Sequence, residues 1–191
     1  MTTTTLDDLR HALGGDPWQP GDADRFAALF PAAGRRCGRS PLTGAPGWTT
    51  DEAARALLLA ALPPDRLATE VEAAYRYGDA DEKRAVLKAL PLLPIGDAGV
   101  PLLHDALRTN DTRLVAAALG PYARHLDDAA WRQGVLKCVF MGLPLSVVDG
   151  LAERADGTLA TMLDAFARER TAAGRTMPAD AFTLLNRLRE A

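Results

Sequence analysis

Apolar side chains recur at intervals of three and four along nearly the whole chain, the spacing that gathers them on one face of a helix. No run of alternating β-branched residues is long enough for a strand, so the pattern predicts an all-α fold. Leu6, Leu9 and Leu13 share a face of a first helix, with Thr5 placed to cap it and Gly14 and Gly15 to stop it. A short second helix over 22–30 is expected to end at Pro31. From Thr50 onward the predicted helices are short and close together: 50–62, 64–77, 85–90 after a charged first turn, 97–108, 111–119, 127–141, 145–153, 157–173 and 178–189. Pro63 and Pro64, Gly78 and Asp79, and Pro91 and Pro94 supply the punctuation.

About ten helices joined by brief turns imply antiparallel neighbours. No fixed repeat period is visible. The expected architecture is therefore a single domain over 1–191, a stack of helical hairpins resembling an α-solenoid (a HEAT- or TPR-like superhelix) without a regular repeat. Residues 31–48 stand apart: three prolines, four glycines and no helical period predict an irregular basic loop carrying Arg35, Arg36 and Arg39. Such a loop serves either as a flap over an anionic ligand or as a solvated connection packed by Leu42 and Trp48.

Composition narrows the function classes. The 191 residues are 48% hydrophobic and 25% charged, with 22 basic against 25 acidic side chains. That balance describes a globular chain with enough apolar matter for a core, and it lacks the basic excess a nucleic-acid backbone calls for. No stretch approaches the roughly 20 apolar residues of a membrane-spanning helix. The start, Met1 to Asp8, is threonine-rich and then acidic, without the basic and apolar regions of a signal peptide, so a cytoplasmic location is expected. Two distant cysteines, Cys37 and Cys138, form neither a disulfide framework nor a zinc spacing. No metal or other cofactor is expected, because no phosphate-cradling, nucleophile-elbow, metalloprotease or deaminase motif is present.

Candidate chemistry concentrates in ALRTNDTRLVAAALGPYARHLDDAAWRQGVLKCVFMGLPL, residues 106–145. On a helical wheel of 127–141, Trp131, Val135, Cys138 and Val139 take one side, Leu136 and Phe140 another and Met141 a third. A helix that apolar is expected to be buried all round, yet Gln133 and Lys137, four apart, share a narrow polar stripe on it. They either hold an acidic or phenolic ligand, with Gly134 allowing close approach, or Lys137 snorkels to water or pairs with Asp105 or Asp111. Before the helix, His125 and its neighbours Tyr122, Arg124, Asp127 and Asp128 read as a metal corner or an acid–base pair or, more simply, as helix-end chemistry. Arg108 and Asn110 form a helix end and turn that also offer ligand contacts. Tyr75, Tyr77, Tyr122 and Trp131 are candidate aromatic contacts at a surface.

The same segments resemble the EboA family of bacterial metabolite-traffic proteins. The likeness lies in LRTND (107–111), the tract from Pro121 to Leu145, WTTDEAARALLLAAL (48–62), ALPLLP (89–94) and LATMLDAFARERTAAGR (159–175), covering most of 40–180. The resemblance implies a cytosolic accessory component of secondary-metabolite biosynthesis and traffic. Its partners would be a small aromatic metabolite or other proteins of the Ebo cluster, among them a membrane prenyltransferase-like protein, with no nucleic acid and no membrane insertion of its own. It brings no catalytic residues. A non-enzymatic binding role is therefore the leading expectation, and a metabolite-modifying enzyme with Lys137 and His125 as acid–base groups is the alternative.

Overall fold

The computed structural model describes residues 4–19 and 21–190; of the threonine-rich start, residues 1–3 lie outside the described residues. Among the described residues there are eleven α-helices and no strands: α1 (Leu6–Ala12), α2 (Phe26–Cys37), α3 (Thr50–Ala60), α4 (Pro64–Tyr77), α5 (Ala80–Ala89), α6 (Val100–Arg108), α7 (Thr112–Ala118), α8 (Asp128–Met141), α9 (Leu151–Arg154), α10 (Gly157–Ala172) and α11 (Ala179–Glu190). The all-α expectation holds. The chain forms two compact units, Met1–Leu102 and Leu103–Ala191.

The first unit is organised around α3. Every residue from Asp51 to Leu59 is buried, because α1, α2 and α5 pack against different sides of this one helix. Reciprocal capping boxes start three helices here: Thr5 with Asp8 for α1, Thr49 with Glu52 for α3, and Asp79 with Glu82 for α5. The expected stop at Pro31 is overturned. Helix α2 runs through the proline to Cys37, so the irregular stretch begins at Gly38 rather than at 31. Buried Phe26, Leu29, Phe30 and Ala33 keep the helical spacing across Pro31, and burial of that face outweighs one missing backbone bond. Pro31 and Ala27, whose carbonyl loses its donor, are both exposed, which puts the break on the solvent side.

In the second unit α8 and α10 run in the same direction. Arg132, near the start of α8, forms a two-pronged bond with Asp156, the cap of α10, at 3.0 and 2.6 Å, and Phe140 near the end of α8 meets Phe166 in the second half of α10. The expected helix over 145–153 is instead a single 3-10 turn, Leu145–Val147, followed by the one-turn α9. Gly150, at φ +69°, sits in the left-handed region between them, a conformation that glycine adopts without the steric cost of a Cβ. Arg154 then fastens α9 with bonds of 2.9 Å to the carbonyls of Ala123 and Leu126 and 2.8 Å to Asp128, its guanidinium 4.8 Å above the buried Trp131 ring.

Candidate functional site

The segment richest in candidate chemistry, 106–145, folds as α6, α7, the 3-10 turn Pro121–His125 and α8. Its polar residues go to different places. Arg108, Asn110, Arg124 and Gln133 are exposed. Tyr122 is buried, with its ring 4.6 Å from the half-buried ring of His125. Trp131 is fully buried, and its indole N–H has no acceptor among the described residues. Lys137 donates from Nζ to the Leu107 carbonyl at 2.7 Å, serving the C-terminal end of α6, where backbone carbonyls lack helical donors. The group that approaches Gly134 belongs to the chain itself: a Cβ there would lie 2.8 Å from Leu119 Cδ2 and 3.4 Å from Leu107 Cδ2. Of the aromatic residues expected to offer surface contacts, Tyr75, Tyr122 and Trp131 are core, and Tyr77 alone is exposed, at 89%.

Helix α8 is not buried all round. Phe140 is 71% exposed, and it follows Gln133 and Lys137 at spacings of seven and three, so the polar stripe continues into a solvent-facing phenyl ring. That ring meets Phe166 edge to face, with centroids 6.5 Å apart at 64°, and the Arg170 guanidinium lies 5.6 Å over Phe166. The wheel reading missed this because a periodic pattern does not say how many sides of a helix find neighbours.

Two features of the first unit were also missed. Around the start of α3, Arg55, 1% exposed, bonds Asp51 at 2.5 Å and the Phe30 carbonyl at 3.1 Å, while Glu82 lies 3.9 Å away. Beside it, buried Glu52 takes Arg84 at 3.2 Å and Lys88. Lys88 also reaches the Gly47 carbonyl at 2.6 Å and lies 4.3 Å over the Trp48 ring, which ties residues 47–48 to α3 and α5. Burial lowers the Lys88 ammonium pKa, and the Glu52 carboxylate opposes that shift. Three charged residues inside DEAARALLLAAL, with Asp51 and Arg55 four apart, were the available signal for this ionic cluster.

The other feature is a cleft of about 380 Å³ between the 12–17 turn after α1, Arg36 and Cys37 at the end of α2, Leu42 and Thr50. Cys37 is half-buried, and burial raises its thiol pKa against the pull of Arg36. Of the three arginines expected on a basic loop, Arg35 and Arg36 therefore ride on α2, and Arg39 follows it and bonds Asp81 at 3.0 Å. Among the described residues no group of three or more His, Cys, Asp or Glu is placed to hold a metal ion.

A family model described as metabolite traffic protein EboA matches residues 40–186. The chain belongs to the EboA family. No curated protein and no solved structure matches it. The match contains α3 through α10, most of α11 and every candidate residue of 106–145, whereas α1 and α2 precede it. No described helix of this EboA-family chain is long and apolar enough to cross a membrane.

Proposed function

We propose that the chain serves metabolite traffic as a non-enzymatic accessory component, docking a protein of its own cluster on the α8–α10 face. The observation that carries this reading is Phe140, a phenyl ring left 71% exposed beside Phe166 within the family-matched residues. Exposed aromatic side chains flanked by cations are typical anchors of protein interfaces. Arg170 follows Phe166 by one turn of α10, and the Lys137 ammonium, although its hydrogen bond goes to the Leu107 carbonyl, adds positive charge one turn before Phe140, so the fitting partner has an apolar centre and an acidic rim. The enzymatic alternative draws no support from its own residues: the Lys137 amine is held by the Leu107 carbonyl, and the His125 ring lies against Tyr122.

Capture of purified cluster proteins by the immobilised chain tests the reading. At least one partner should bind wild type, and Phe140→Asp should weaken it by about tenfold or more, the scale of losing an aromatic anchor. Because the ring is largely solvated, the variant should still fold, losing about 1–2 kcal/mol from the Phe166 contact and from a negative charge in the last turn of α8, which thermal unfolding measures. Capture of no cluster protein, or equal capture by the variant, removes this face from the function.

A further inference from the structure

The cleft of the first unit, open to solvent and lined by apolar and polar groups alike, has room for a small molecule, since about 380 Å³ falls within the range such sites occupy. Two ionisable residues carry formal charge on its lining, Asp16 and Arg36. Asp16 is engaged: it accepts the Trp18 amide at 3.0 Å and lies 3.7 Å from Arg10 Nε. Arg36 differs. Its described contact is a cation–π one, with the guanidinium carbon 5.2 Å from the centre of the Trp18 ring, and it forms no ion pair among the described residues. The indole is itself fixed by a 2.7 Å bond from Nε1 to the Ala54 carbonyl. Contact with an immobilised ring restrains a guanidinium without giving its N–H groups an acceptor, and the guanidinium fork matches the two oxygens of a carboxylate. Leu13, Pro17 and Leu42 supply apolar surface beside it.

We infer that this cleft binds a small organic monocarboxylate with an apolar body, its carboxylate on the Arg36 fork and its body against Leu13, Pro17 and Leu42. One uncommitted cation beside an acidic residue balances a single negative charge, which favours a monocarboxylate over a phosphate dianion. Most of its lining, Arg36 included, precedes the family-matched stretch, with Leu42 and Thr50 inside it, and the site does not rest on the docking face of the second unit, so the two readings fail separately.

Cys37 reports occupancy. Cys138 is fully buried with its thiol pKa pushed up to about 12, so iodoacetamide on the folded protein at mildly alkaline pH labels Cys37 selectively. Benzoate, phenylacetate and hexanoate are the probes, with benzyl alcohol as neutral analogue and inorganic phosphate as competing anion. At least one carboxylate should slow Cys37 alkylation saturably, by about tenfold once its concentration is tenfold above Kd, as mass action requires. Benzyl alcohol and phosphate should give no protection. Arg36→Met should abolish protection and Arg36→Lys should retain part of it, each scored as the ratio of rates with and without carboxylate, because losing the arginine also changes the thiol's intrinsic reactivity. Arg36 is exposed, so both variants should fold, and circular dichroism checks it. The inference is overturned if no carboxylate protects, if benzyl alcohol or phosphate protects as well as a carboxylate, or if Arg36→Met is protected like wild type.

Discussion

Asp156 shows how much one side chain does here. It caps α10 by accepting the Leu159 amide at 2.9 Å, and the same carboxylate takes the Arg132 fork. Its pKa therefore lies below the ordinary value of 3.8, with the Arg132 bond as the main cause and the Leu159 amide next. The unfolded chain holds this proton at a pH where the folded chain does not, so the contribution is present above about pH 3.8 and is lost as pH falls through the lower folded value. Asp111 and Asp164, also lowered by arginine bonds, act in the same sense. Urea titrations between neutral pH and pH 2 should show stability falling at the acid end, and Asp156→Asn should flatten part of that slope. A slope unchanged in the variant contradicts the assignment. Arg55 and Glu52 belong to a different regime. Buried ion pairs add little net stability over apolar packing, but removing one partner leaves an expensive unpaired charge, so any arrangement of α3 that separates these groups is costly.

At the scale of elements, caps were the most legible feature. Thr5, Asp111 and Asp127 each stand where a side-chain oxygen meets an amide of the first turn, and such local chemistry reads directly from sequence, whereas Asp79, expected only in a turn, is also the cap of α5. The stop that Pro31 predicts is absent because packing of the buried face of α2 competes with the proline and wins. Since Pro31 is exposed and lies beyond the first turn of α2, its ring and missing N–H strain the helix without serving a contact in the core. Pro31→Ala should therefore stabilise the protein by about 1 kcal/mol or more, the gain in helix propensity being partly offset by a freer unfolded chain. Thermal unfolding measures it, and a lower melting temperature in the variant would show that the proline bend is needed for packing. The 145–153 stretch failed for a related reason: Arg154 reaches carbonyls about 30 residues upstream, and those bonds hold α9 as a single separate turn.

Over the whole molecule, each unit has its own long-range polar fastening, Lys88 and Arg84 on Glu52 in the first and Arg154 on the turn before α8 in the second. The two proposed binding features also fall in different units, the carboxylate cleft in Met1–Leu102 and the aromatic face in Leu103–Ala191. Phe140→Asp should leave carboxylate protection of Cys37 unchanged, and Arg36→Met should leave capture of cluster proteins unchanged. Labelling kinetics and capture on the same two variants check this, and a crossed effect would mean that one feature depends on the other. By itself the sequence determined the helical content, most helix starts and the family, because spacing of three and four, side-chain caps and extended family patterns are all carried by the linear order of residues. Only the tertiary structure decided that Tyr122 and Trp131 are core while Phe140 is not, that Lys137 is spent on a helix end, and that Arg36 meets Trp18 beside a cleft. Those outcomes depend on which sides of each helix find a neighbour and on contacts between residues distant in the chain, and neither is encoded in a local pattern.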